Sequence, residues 1–141
     1  MSKTSAIPTV QTVNNVDGSI LPAGTTTKQL VWTAGANDGV VKSFCLTSTD
    51  TADHVVQIFF NKGGSGTDRL IGTVKVPLGS GTDGVIPAVD VLRSGFIAQL
   101  SFDAFGNKVL YATAGSKIYI ASTVTVTAAK SIDAFGEGGD F

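Results

Sequence analysis

Apolar residues in this chain come in short runs with the period of two that marks half-buried strands, and no stretch carries a convincing helical pattern. The clearest alternation lies in residues 117–127. Ile118, Ile120, Val124 and Val126 fall on one side with Ser122, and Tyr119, Ala121, Thr123 and Thr125 on the other. Residues 69–76 alternate too, with Leu70, Gly72, Val74 and Val76 facing one way and Ile71, Thr73 and Lys75 the other. Residues 54–60 are β-branched and aromatic on both parities, which predicts a central strand. Further strands are expected over 29–34, 40–49, 96–102, 107–113 and 131–135. Within 40–49, Val40, Phe44 and Leu46 share a parity that Lys42 interrupts, so Lys42 either snorkels or marks a bend. Pro87 makes 85–92 an edge strand or an irregular segment.

Turn signals separate these runs. Asp38-Gly39 and the Gly-rich stretches 61–68 and 79–84 are places where positive φ and local aspartate hydrogen bonds are cheap. Gly64-Ser65-Gly66-Thr67-Asp68 is echoed at 79–83, and Asp103-Ala104-Phe105-Gly106 at 133–136; both echoes are expected to be similar turns at strand ends. Residues 1–28 are rich in Thr, Ser, Asn and Gly, with Pro8 and Pro22. They read as an extended N-terminal arm holding one short strand over 9–13. Ile7, Val10 and Val13 are the apolar positions of that arm suited to touching a partner, because an arm can add a strand to another sheet. The pattern as a whole predicts an all-β chain. Residues 29–141 are expected to form a single antiparallel β-sandwich of about eight or nine strands, jelly-roll-like ahead of immunoglobulin-like, behind the arm at 1–28.

Composition sharpens the picture by exclusion. At 141 residues the chain is long enough for one domain with a core of its own. Hydrophobic residues make up 43% and charged ones only 15%, so Thr, Ser, Asn and Gly must cover much of the surface, which suits a protein that meets other proteins. The formal net charge is −1 and the ten basic residues are scattered, so neither a nucleic-acid backbone nor an anionic membrane finds a basic face. No run approaches the roughly 20 apolar residues of a membrane span. The first thirteen residues hold one Lys and no apolar stretch, unlike a signal peptide.

Candidate chemistry fails test by test, and no catalytic, metal or cofactor residue is expected. Residues 79–84 match the spacing of a dinucleotide-binding glycine loop, but Val85-Ile86-Pro87 follows where a helix N-terminus must hold the pyrophosphate. His54 is the single histidine and follows Asp53 at a strand start, the place of an exposed turn residue; any triad would have to use it. Cys45 is the single cysteine, so no intrachain disulfide forms, and its apolar run predicts a small buried hydrophobe. One histidine and one cysteine are too few for a zinc site, and the loop aspartates lack a calcium-loop spacing. Trp32, Phe44, Phe59 and Phe96 are expected in the core. An exposed Trp32 or Tyr119 would instead offer a stacking platform for sugars.

Three segments carry a family resemblance: 47–57 (opening Thr47-Ser48-Thr49-Asp50), 70–77 (opening Leu70-Ile71-Gly72-Thr73) and 81–92 (opening Gly81-Thr82-Asp83-Gly84). With the closing Gly138-Gly139-Asp140-Phe141, these resemble small virion structural proteins of tailed bacteriophages over roughly 25–141. The resemblance implies a capsid decoration, or cement, protein: a β-sandwich that sits as a homotrimer on the head and clamps the major capsid protein. It implies a virion location after synthesis in the host cytoplasm, no enzymatic activity and no cofactor. A tail, baseplate or head-fibre component, or a carbohydrate-binding β-sandwich, are the alternatives.

Overall fold

The computed structural model of the chain describes residues 9–24, 26–93, 95–98 and 100–141. In chain order its strands are β1 (Thr12–Val13), β2 (Val16–Ile20), β3 (Gln29–Thr33), β4 (Gly39–Val41), β5 (Cys45–Ser48), β6 (His54–Asn61), β7 (Arg69–Val76), β8 (Val89–Asp90), β9 (Ser101–Phe102), β10 (Lys108–Ala112), β11 (Lys117–Ser122), β12 (Ile132–Gly136) and β13 (Gly138–Asp140). Only two 3-10 turns, Pro22–Gly24 and Lys62–Gly64, accompany them among the described residues.

The strands pair antiparallel into three sheets: β1-β13-β4-β10-β9, β3-β11-β6-β7 and β2-β12-β5-β8. The chain is therefore all-β. The described strands number thirteen in three sheets, where eight or nine in a two-layer sandwich were expected. Short strands explain the count: bends and bulges cut long apolar runs into pieces that join different sheets. The run 40–49 is cut at 42–44 into β4 and β5, with Lys42 exposed at the bend and Phe44 buried.

Period two places the core. β6 lies between β11 and β7, and Val56, Ile58, Val74, Val76, Ile118 and Ile120 point from these strands to one interior. Val16 and Ile20 of β2, Trp32 of β3, Leu46 of β5 and Ile132 of β12 close it from the other layers. Burial of each such side chain contributes roughly 1.5–3 kcal/mol.

Several expectations need correction. Among the described residues of 96–102 only Ser101–Phe102 is a strand, with Ile97 making one isolated bridge to Gly72. β11 stops at Ser122, and Val124 turns out to solvent while Val126 stays buried. The stretch 85–92, which contains Pro87, is as expected: mostly irregular, with only Val89–Asp90 pairing, at the edge of its sheet. The echo at 133–136 is no turn: it lies inside β12, while its twin at 103–106 is one. The stretch read as a terminal arm is built into the sheets over 12–20, β1 on β13 and β2 on β12.

The glycine-rich chain end is a strand between two others, β13 between β1 and β4. At Gly138 a Cβ would meet the carbonyl oxygens of Asn14 at 2.7 Å and Val40 at 2.8 Å, so only glycine lets β13 pass between β1 and β4. Asp140 then pins the end: its Oδ1 accepts from Gly35 N at 2.9 Å and Asn14 Nδ2 at 3.0 Å.

Candidate functional site

Two places concentrate chemistry or exposed apolar surface. The first is internal. The turn after β5 brings Asp50 under the start of β6, and the end of β11 brings in Ser122. His54 Nε2 lies 2.7 Å from Asp50 Oδ2, and Nδ1 lies 3.0 Å from Ser122 Oγ. His54 is thus buried, not the exposed turn residue its position after Asp53 suggested. Asp50 also accepts from Thr51 N (2.6 Å), Thr127 Oγ1 (2.7 Å) and Thr127 N (2.9 Å), so its carboxylate oxygens are fully used. Burial pushes the Asp50 carboxyl up, but these bonds from Thr127, His54 and Thr51 outweigh it and hold the group well below the usual carboxylate range.

The trio has the composition of a hydrolytic triad without its working geometry. Ser122 Oγ donates to the Val124 carbonyl at 2.8 Å, so its proton points away from His54 Nδ1, 3.0 Å from Oγ. The side chains of both Asp50 and His54 are fully buried, so no substrate carbonyl can approach the hydroxyl. What the cluster does is mechanical. It ties 49–53, β6, β11 and 123–127 together with satisfied polar groups, and the Asp50 carbonyl reaches further, to Gly79 N at 3.2 Å. Sequence showed Asp50 and His54 four apart, but nothing local pointed to Ser122.

The second place is the surface. Hairpin β9–β10 exposes Phe102 (61%) and Phe105 (90%), and Tyr111 of β10 stacks on Phe141 with centroids 6.3 Å apart. Across the outer face of sheet β3-β11-β6-β7, Leu30, Tyr119, Phe59 and Leu70 are successive cross-strand partners. Lys28 Nζ sits 4.4 Å from the Phe59 ring centre. Trp32 is buried and donates Nε1–H to the Asn14 carbonyl at 3.2 Å, so it offers sugars no platform. Of the aromatic residues expected in the core, Trp32 and Phe44 are there. Phe59 is half-buried and Phe96 is exposed.

The positions read as partner contacts separate. Ile7 lies outside the described residues. Val10 is half-buried against Gly139 of its own chain, and Val13 is exposed. Phe105 was missed, although the Asp103-to-Asn107 turn that carries it was legible. Cys45 is half-buried rather than buried; its surroundings, then the Asp90 charge, push the thiol up and away from thiolate chemistry. Among the described residues no group of three or more His, Cys, Asp or Glu could hold a metal ion, and no helix is long and apolar enough to cross a membrane. No family model, no curated protein and no solved structure matches the chain.

Proposed function

We propose that this chain is a structural protein of a phage head, a decoration protein that binds the major capsid protein lattice and also itself, as a homo-oligomer. The resemblance of 47–57, 70–77 and 81–92 to small virion proteins supplies the setting. The observation that carries the interaction reading is the apolar surface of hairpin β9–β10, where Phe102 and Phe105 stand in solvent on a chain with only 15% charged residues. Large exposed aromatic side chains grouped on one element are a mark of contact surfaces rather than of a free monomer. The sealed Asp50–His54–Ser122 cluster fits the same reading, because it stiffens the scaffold and leaves no reactive group in reach. Within this reading the sheets wrap the core as a jelly-roll-like sandwich.

The test is copy number. Particles are purified and the chain is quantified against the major shell protein by mass spectrometry. A fixed, high ratio to the shell subunit is expected. A handful of copies per particle would move the chain to a tail, baseplate or head fibre, and its absence from particles would sink the virion reading.

A further inference from the structure

The sealed Asp50–His54–Ser122 cluster asks more of its histidine than a neutral ring can supply. The Ser122 hydroxyl has one proton and two close neighbours, the Val124 carbonyl oxygen at 2.8 Å and His54 Nδ1 at 3.0 Å. A carbonyl oxygen only accepts, so two oxygens at that distance must share the hydroxyl proton. Val124 N, 3.3 Å away, donates to Oγ and takes nothing from it. With its proton committed, Oγ meets Nδ1 as an acceptor, and Nδ1 must carry a hydrogen.

The other ring nitrogen faces the same demand from the opposite side. Asp50 accepts from Thr51 N, Thr127 N and Thr127 Oγ1, and its Oδ2 stands 2.7 Å from Nε2. Burial pushes the carboxyl up, but these bonds outweigh it, and Asp50 is an anion. Nε2 must therefore carry a hydrogen too. A neutral imidazole has one ring N–H, and a ring with two is an imidazolium. Both side chains are fully buried, where a carboxylate without a counter-charge is costly. The neighbouring elements supply no competing cation in contact. The end of β11 brings Ser122, the segment 123–127 brings Val124 and Thr127, and β7 sets Val76 opposite His54. The nearby charges beyond Asp50 are Asp53, adjacent in the chain, and Lys75 of β7. These two pair with each other at 3.3 Å, which leaves Asp50 for His54.

We infer that His54 is an imidazolium in the folded chain, and that its ion pair with Asp50 makes the clamp on 49–53, β6, β11 and 123–127 sensitive to alkali. Histidine in an unfolded chain has lost this proton above about pH 6.5. Folding above that pH must take a proton up, so the clamp stabilises fully below it and is weakened as pH rises. Once the proton leaves, either Ser122 turns its hydroxyl to Nδ1 and abandons the Val124 carbonyl, or the ring turns from Asp50. Both routes loosen the link between β6 and 123–127. This charge state does not depend on a virion setting, and purified chain alone tests it.

His54 is the single histidine, so its ring signals are unambiguous. In heteronuclear NMR of the nitrogen-labelled full chain at about pH 7, above the ordinary histidine value, both ring nitrogens are expected to bear hydrogen. Ser122→Ala removes the acceptor at Nδ1 and should leave hydrogen on Nε2 alone at the same pH. In urea unfolding, the unfolding constant of the parent chain should rise with pH above about 6.5, approaching the limit of about tenfold per pH unit set by one proton. Ser122→Ala should remove most of that rise. A parent His54 with one ring N–H at that pH overturns the inference, even where the variant fails to fold. So does a parent stability that stays flat as pH rises by about two units above the ordinary histidine value.

Discussion

The chain contains Asp-Ala-Phe-Gly twice, and the two copies do opposite things. At 103–106 it is a tight turn: Gly106 takes φ 81°, Asp103 accepts two backbone N–H groups, and Phe105 stands in water. At 133–136 it is the body of β12, hydrogen-bonded to β2 on one side and β5 on the other. There Asp133 spends its carboxylate on Ser19 Oγ at 2.6 Å and Ser131 Oγ at 3.3 Å, and Ala134 is buried. Four identical residues thus leave the choice open. The flanks decide it: Ile132 continues an inward parity through Ala134 to Gly136, whereas Asn107 after Gly106 closes a loop on Asp103. Local turn chemistry is weak enough, about 1 kcal/mol per hydrogen bond, for two neighbouring strands to override it.

A third aspartate turn sharpens the contrast most. Asp50 opens a polar stretch like Asp103 but is buried, with four donors on its carboxylate. Asp50→Ala should cost about 3–5 kcal/mol in urea unfolding, because it strands the buried His54 side chain without its partner in the interior. The acid limb tests the same group. Its folded carboxyl lies below its ordinary value of 3.8, so its stabilisation is present above that pH and is lost as pH falls below it. Parent chain should lose stability below about pH 4, and Asp50→Ala should flatten that limb.

Next comes Gly136, where a Cβ would collide with the backbone of Ser43 and Phe44. Gly136→Ala should destabilise by about 3 kcal/mol by thermal or urea unfolding, since backbone cannot give way as a side chain can. Its twin Gly106 has open space around it and a positive φ. Gly106→Ala should therefore cost only the left-handed penalty, about 1 kcal/mol. Equal losses at the two sites would break the comparison. The smallest difference is expected at the phenylalanines. Phe105→Ala should leave monomer stability within about 0.5 kcal/mol. Phe135→Ala should lose up to about 1 kcal/mol, because Phe135 pairs across β12 with Cys45 and Asp17.

Much of this architecture was legible. The alternation in 73–76, the central place of β6, the bend at Lys42 and the short edge pairing after Pro87 all follow from effects that act within a few residues. Leu70, by contrast, lies on the outer face and Ile71 packs against the core, because the register of β6 with β7 shifts between Ile58 and Phe59. The candidate sites were legible only in parts. Asp103, Gly106 and Asn107 announce a turn, but not that Phe105 would be its most exposed residue. Asp50 and His54 are four apart, but Ser122 joins them from 68 residues beyond His54, through the pairing of β11 with β6. The glycine-rich end was not legible as a strand, because glycine is common both in loose chain and where a backbone must pass closely.

Sequence alone determined that this chain is built of strands, where most of them run and where many of its turns fall, because period and turn chemistry are local. It also determined that the formal net charge is −1, because charge is additive. Only the tertiary structure decided which strands are neighbours, that His54 is enclosed, that β13 lies between β1 and β4, and which Asp-Ala-Phe-Gly turns. Those outcomes depend on long-range packing and on hydrogen-bond partners distant in sequence. The burial of a polar side chain or the insertion of a glycine strand is settled by the groups that surround it.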